Sequence, residues 1–205
     1  MKKAIDIFGE WAKVGKDQGM ELTHADSVQD MLNFVIEERK LLGKKFRFLD
    51  LGCGNGWVVR KMKSEKSCIE VVGLDGADQM IKNAREKDTK SVYILADINS
   101  FIPYKKFDII HSMEVLYYLD HPQKVIKNIL DFWLEENGRL IIGIDHYYEN
   151  FQSHSWQSKV GTKMLMLKES EWVDFFKVAG FKDIKKWRSH ERSDWGGTLI
   201  ITGKK

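Results

Sequence analysis

Three glycines at alternate positions follow an apolar run that ends at Leu51. The stretch reads Phe48-Leu49-Asp50-Leu51-Gly52-Cys53-Gly54-Asn55-Gly56. Because glycine adopts backbone angles closed to other residues and has no side chain, such a loop turns tightly and lets a ligand approach the main chain. A dinucleotide fingerprint, Gly-x-Gly-x-x-Gly/Ala, would need a small residue at position 57, where Trp57 stands. The stretch therefore predicts a ligand-binding loop and argues against a diphosphate on it.

Acidic residues follow the next two apolar runs. Asp75 ends the run Val72-Gly73-Leu74-Asp75, and Asp97 follows the run Val92 to Leu95. A carboxylate at such a strand end can accept hydrogen bonds from the hydroxyls of a nucleoside ribose. The alternatives are a solvated aspartate at position 75 and an aspartate that caps a turn or helix at position 97.

Two segments resemble a known family. Asp50 to Gly56 matches, residue for residue, the acidic-Gly-x-Gly-x-Gly first motif of the class I S-adenosylmethionine-dependent methyltransferases. Phe107 to Leu116 is similar to the same region of the ubiquinone-biosynthesis O-methyltransferases and their relatives. Those relatives usually continue with Glu-His, whereas this chain has Tyr117-Tyr118, so their acceptor chemistry does not carry over. The resemblance covers roughly Phe46 to Ile144.

The resemblance implies S-adenosylmethionine as the cofactor. It places Asp75 on the ribose, Asp97 on the adenine amino group and the next backbone amide, that of Ile98, on the adenine ring. The run from Gly76 to Ile81 resembles the family's ribose and adenine segment. The cofactor-binding residues that we expect are Asp50, Gly52, Cys53, Gly54, Asp75, Gly76, Met80, Asp97, Ile98 and His111.

Two residues at the end of the fourth apolar run are candidate catalytic groups. A site can accelerate methyl transfer by aligning acceptor, methyl group and sulfur, with no covalent catalysis. A hydroxyl or protonated amine acceptor also needs a general base, and His111 or Glu114 is suitably placed for that role. The alternatives are a packed or surface histidine, and a backbone contact of His111 with the cofactor.

Aromatic residues are dense in the segment 145–168 and near the N-terminus. This composition predicts a substrate lid over 145–168, with Trp11, Tyr117, Tyr118, His146 and Trp156 as candidate substrate residues. Aromatic faces suit a cationic amine or a planar phenol. The alternative is that these aromatics only cover an apolar sheet edge. The six histidines show no ligand spacing, so we expect no metal site.

Short apolar runs alternate with amphipathic stretches along the chain. The pattern predicts an α/β fold, a Rossmann-like doubly wound, mostly parallel seven-stranded sheet with an antiparallel C-terminal hairpin. We expect one domain over residues 1–205, with an N-terminal extension over 1–25. The predicted strands are 46–51, 69–74, 92–95, 107–112, 139–144, 182–187 and 198–202. The predicted helices are 26–42, capped by Asp26 and Gln29, then 57–62, 78–86, 122–133 and 171–179.

Amino-acid composition and net charge argue against some classes of binding partner. The 205 residues carry 33 Lys plus Arg against 30 Asp plus Glu, a net charge of +3 that argues against a broad nucleic-acid or membrane surface. Two cysteines, no signal peptide and no long apolar run indicate a cytoplasmic protein. The oligomeric state stays open.

These features together predict a methyltransferase that uses S-adenosylmethionine to methylate a nitrogen or oxygen of a small molecule. Methylation of RNA or protein, and a non-catalytic S-adenosylmethionine-binding regulatory protein, are the alternatives. The identity of the acceptor is left open.

Overall fold

Seven strands form one sheet in the computed structural model, which describes residues 1–205. The strands are β1 Phe46–Leu51, β2 Cys68–Asp75, β3 Val92–Leu95, β4 Phe107–Met113, β5 Leu134–Ile144, β6 Lys182–Ser189 and β7 Thr198–Lys204. Their order across the sheet is β3-β2-β1-β4-β5-β7-β6. The first five strands run parallel, and β7 is antiparallel to both of its neighbours. The predicted fold class is confirmed.

Seven helices accompany the sheet: α1 Ala4–Lys13, α2 Asp17–Leu41, α3 Trp57–Met62, α4 Asp78–Lys87, α5 Pro122–Asn128, α6 Trp156–Val160 and α7 Glu169–Ala179. A π-helical turn, Ile129–Trp133, extends α5. None of the helices combines the length and the apolar run that a membrane span needs.

The core has one layer on each face of the sheet. On β1, Phe46 and Phe48 pack with residues of α2, α3 and α4, whereas Leu49 and Leu51 pack with residues of α5 and α7. Both faces of the central strands are buried, which is why these strands appear in the sequence as continuous apolar runs. The strand order reverses between β1 and β4, near the centre of the sheet. At this topological switch point the carboxyl ends of the two strands flank a crevice.

Helix α2 is the main departure from the sequence prediction. It begins at Asp17, so the capping pair predicted at Asp26 is wrong, and that residue lies inside the helix. Tertiary contacts override the local capping signal. Asp17 is buried, and its carboxylate accepts a hydrogen bond from Asn55 Nδ2 at 2.9 Å. The N-terminal residues 1–25 therefore hold α1 and the first two turns of α2.

The segment 145–168 is folded against the rest of the chain. Tyr147 is buried, and its hydroxyl donates to the carbonyl of Gly196 at 2.6 Å. The amide of Leu165 donates to the carbonyl of Tyr117 at 2.8 Å. These contacts fix the segment beside the carboxyl ends of β4 and β5.

Candidate active site

The glycine loop after β1 is held in left-handed backbone conformations. Gly52, Gly54 and Gly56 have φ values of +77°, +52° and +78°. A Cβ on Gly52 would lie 2.2 Å from Val115 Cγ2, whereas a Cβ on Gly54 would meet only Met80 Sδ, at 3.9 Å. Gly52 is therefore needed for packing, and Gly54 leaves bare main chain facing open space.

Asp75, at the end of β2, connects this loop to the next helix. Its Oδ2 accepts a hydrogen bond from the Gly54 amide at 2.9 Å, and its Oδ1 accepts one from the Ala77 amide at 2.8 Å. Burial raises the pKa of this carboxyl, and the backbone hydrogen bonds offset part of that rise. Each carboxylate oxygen keeps a further lone pair for a ligand hydroxyl.

A cavity of about 510 Å³ opens over these residues. Seven of the ten expected cofactor residues line it: Gly52, Gly54, Asp75, Gly76, Met80, Asp97 and Ile98. Asp97 also caps a turn, because its Oδ1 accepts a hydrogen bond from the Asn99 amide at 2.9 Å. The three separate strand-end loops thus converge on one cavity, as the parallel topology requires.

The other three expected cofactor residues, Asp50, Cys53 and His111, line a smaller cavity of about 60 Å³ beside the glycine loop. His111 is fully buried, and its Nδ1 lies 2.7 Å from Asp50 Oδ1. His111 and Asn55 both line this cavity, and His111 Nε2 and Asn55 Oδ1 have no hydrogen-bond partner within the protein. Buried polar atoms rarely lack partners, so these two fit the polar end of a ligand.

Glu114 lies between the two cavities and lines both. It follows β4 with a φ of +60°, a conformation that non-glycine residues seldom adopt outside functional sites. Tyr117 donates its hydroxyl to Glu114 Oε2 at 2.6 Å, and the Asp145 amide donates to Glu114 Oε1. Burial, followed by the nearby Asp145 carboxylate, raises the pKa of Glu114.

His24 faces the same carboxylates from α2. Its Nδ1 lies 3.4 Å from Asp145 Oδ2. Burial alone would lower the pKa of His24, but the carboxylates of Asp145 and Glu114 raise it overall. The sequence places His24 in the N-terminal extension, as a residue that could cover the pocket, but not on the helix that brings it to these carboxylates.

Comparison with known proteins identifies the family. Residues 49–142 match a family model described as a methyltransferase domain. A 2-methyl-6-phytyl-1,4-hydroquinone methyltransferase of Oryza sativa subsp. japonica is 30% identical over 77% of this chain and 45% of its own length. A ubiquinone biosynthesis O-methyltransferase of Pelagibacter ubique is 25% identical, with 90% of this chain and 82% of that protein covered. These matches support a class I S-adenosylmethionine-dependent methyltransferase domain in this chain.

The fold of this chain is shared by solved structures. A methyltransferase from Haloferax volcanii, solved as a complex with the Trm112 methyltransferase activator, superposes with a TM-score of 0.80 at 24% identity and covers 100% of this chain and 98% of its own. The chain spans about half the length of several curated relatives that it matches. S-adenosylmethionine is the cofactor of the family, and the bare backbone at Gly54 and the carboxylate of Asp75 fit it.

The candidate substrate residues of the methyltransferase fall into two groups. Tyr118 lines the main cavity, and Tyr117 is bonded to Glu114. Trp11, His146 and Trp156 are not among the residues that line the cavity. His146 and Trp156 instead form a stack, with ring centroids 6.3 Å apart.

The roof of the main cavity comes from two parts of the chain. Residues from Met1 to Ile5, together with Phe8, cover it from the N-terminus and α1, and Thr162 and Lys163 cover it from the segment 145–168. Thr162 Oγ1 donates to the Lys2 carbonyl at 3.0 Å and joins the two parts. Phe8 packs edge-on against Tyr118, with ring centroids 5.1 Å apart. The amphipathic pattern of α1 was the signal that the sequence analysis did not use.

Proposed function

We propose that this chain transfers a methyl group from S-adenosylmethionine to a nitrogen or oxygen of a small molecule that enters the 510 Å³ cavity. The observation that supports the proposal is that one cavity is lined by seven of the expected cofactor residues and also by Glu114 and Tyr118. Its volume is typical of small-molecule sites. The roof formed by α1 and Thr162 restricts access to a large acceptor such as folded RNA.

The cofactor residues contact different parts of S-adenosylmethionine in this proposal. Asp75 accepts hydrogen bonds from the ribose hydroxyls, and Gly52 and Gly54 provide bare main chain beside it. Gly76, Met80, Asp97 and Ile98 surround the base. Asp50, Cys53 and His111 border the amino-acid end, where His111 Nε2 has no partner within the protein. The bound cofactor supplies an electrophilic methyl group, and the chain aligns the acceptor with it.

Glu114 is the proposed proton acceptor. Its carboxylate borders the main cavity, and the Tyr117 hydroxyl holds it in place. His111, the second candidate base, borders only the small cavity and is fixed by Asp50. We therefore assign His111 to positioning around the cofactor and Glu114 to removal of a proton from the acceptor.

The acceptor pocket is lined in part by aromatic residues in this proposal. Tyr118 and Phe8 border the cavity and can stack on a planar or cationic acceptor. His146 and Trp156 do not contact the acceptor in this proposal. His146 instead packs on Tyr117, with ring centroids 5.3 Å apart.

Transfer of a radiolabelled methyl group from S-adenosylmethionine into an extract tests the proposal. The extract is separated after reaction into small molecules, RNA and protein. We expect label in the small-molecule fraction with the wild-type chain and none with Gly54→Val. Label confined to RNA or protein would overturn the acceptor class. Binding of S-adenosylhomocysteine without any transfer would indicate a regulatory protein instead.

A further inference from the structure

Three side chains with metal-ligating atoms meet at the ends of β4 and β5. They are His24 of α2, Glu114 after β4 and Asp145 after β5, and one ligating atom of each lies within 4.8 Å of the others. Met113 pairs with Gly143 across β4 and β5, so the residues that follow the two strands emerge side by side. Helix α2 then brings the imidazole of His24 over the two carboxylates.

A second observation points to a ligand at this cluster. Asp145 is only 4% exposed, and its Oδ1 has no hydrogen-bond partner within the protein. Neither Glu114 nor Asp145 forms an ion pair with a lysine or an arginine; the one ion-pair contact of the two carboxylates is that of Asp145 with His24. When both buried carboxylates are ionised, one histidine cannot balance them, and the raised pKa of Glu114 reflects the cost of this charge in a poorly solvated place.

We propose that His24, Glu114 and Asp145 bind one divalent first-row transition cation. One imidazole and two carboxylates make a mixed nitrogen and oxygen donor set, which suits Mn²⁺, Fe²⁺ or Zn²⁺. Such ligands lie about 2.0–2.2 Å from the ion, so two of them on opposite sides are about 4 Å apart. The ligating atoms of the observed cluster, all within 4.8 Å of one another, lie close to that spacing.

The cluster lies beside the proposed site of the amino-acid end of the cofactor. His24 and Glu114 line the cavity of about 60 Å³ together with Asp50 and His111, so the ion and that end of the cofactor would be neighbours. Tyr117 and the Asp145 amide already hold the Glu114 carboxylate, as outer hydrogen bonds hold metal ligands in known sites. Water molecules would complete the coordination.

The ion would lie at the wall of the main cavity, because Glu114 borders both cavities. Glu114 would be a ligand in the ion-bound protein, so its proposed role as proton acceptor applies to the ion-free protein. The metal site stands apart from the proposed methyl acceptor, since ion binding is measured without any substrate.

Titration of chelator-treated protein with MnCl₂ tests the site. Free Mn²⁺ is followed by its electron paramagnetic resonance signal, and heat by calorimetry. We expect one Mn²⁺ per chain for the wild type and binding weakened by at least about a hundredfold in Asp145→Asn, which loses a direct ligand. Asp120→Asn is the matched control, because this exposed carboxylate lies at the rim of the main cavity outside the cluster. It should bind Mn²⁺ as the wild type does.

Circular dichroism and titration with S-adenosylhomocysteine show whether each variant is folded. If Asp145→Asn does not fold, His24→Gln takes its place, because His24 lies on a helix and is partly exposed. Absence of Mn²⁺ binding up to millimolar concentration overturns the metal site. Equal binding by the wild type and by a folded ligand variant overturns it too. Because no methyl acceptor is present, either result leaves the proposed function standing.

Discussion

Replacement of Asp75 by asparagine separates cofactor binding from folding. The aspartate side chain accepts the Gly54 and Ala77 amides, one on each oxygen, and faces the main cavity. Asparagine keeps the size and one acceptor oxygen, but it replaces the other oxygen by a donor and removes the charge. A ribose would then have one charge-assisted hydrogen bond fewer.

The size of the effect follows from that lost bond. A hydrogen bond to a charged group contributes about 1.5–3 kcal/mol, so the dissociation constant for S-adenosylhomocysteine should rise about ten- to a hundredfold or more. Folding stability should change less, because two effects oppose each other. The new amide group faces a backbone N–H donor, which destabilises the fold. Loss of the charge removes the cost of burying it, the same cost that raises the pKa of Asp75, and this stabilises the fold.

Calorimetric titration with S-adenosylhomocysteine measures the effect, and thermal denaturation of the free protein measures stability. Asp78→Asn is the matched control, because Asp78 is exposed at the start of α4 and pairs with Lys82. It should leave the dissociation constant unchanged. A wild-type dissociation constant in Asp75→Asn would refute the assignment of the ribose to this carboxylate.

Three further changes test other parts of the structure. Gly54→Val should abolish S-adenosylhomocysteine binding while the domain stays folded, because its side chain points into the cavity and the left-handed backbone costs only about 1–2 kcal/mol; retained affinity in calorimetry would count against the glycine loop. Trp156→Ala should lower acceptor use more than cofactor affinity, and steady-state kinetics that show equal losses would indicate a purely structural stack. Arg139 is fully buried and donates to Glu38 and Asp183, so Arg139→Met should lower the free energy of unfolding by about 3 kcal/mol in urea. Because the hydrogen bond from Arg139 lowers the pKa of Asp183 in the folded state, this part of the stability is present above about pH 4 and is lost as the pH falls further; the same acid sensitivity in Arg139→Met would contradict this account.

The centre of the fold could be predicted from local sequence because its strands are buried on both faces. β1 from Phe46 to Leu51, α3 from Trp57 to Met62 and β3 from Val92 to Leu95 have the predicted bounds. β1 is a mostly apolar run followed by Gly52, α3 is a short amphipathic stretch, and β3 is a run of four apolar and aromatic residues. The carboxylates that follow the strands then fall at one edge of the sheet, since parallel strands end on the same side.

The roof of the cavity could not be predicted in the same way. The aromatic composition indicated that residues near position 150 and near the N-terminus cover an apolar surface. It did not indicate which of these side chains point into the cavity. Tyr118 faces the cavity, whereas Trp156 faces Trp195 and His146. The start of α2 is set by the contact of Asp17 with Asn55, two residues that only the tertiary fold brings together.

The acidic cluster shows which kind of inference from sequence works for this family. A search for local ligand spacing finds nothing, because His24, Glu114 and Asp145 are far apart in the chain. The topology is more informative: β4 and β5 are parallel neighbours, and Met113 lies opposite Gly143, so an acidic residue shortly after each strand must end beside the other. The position of His24 is the one part of the cluster that the strand order does not predict, because it depends on how α2 lies against the sheet. A pair of acidic residues directly after two neighbouring parallel strands is therefore a signal for a cation site in the sequence alone, and the Mn²⁺ titration of Asp145→Asn decides whether that signal holds in this chain.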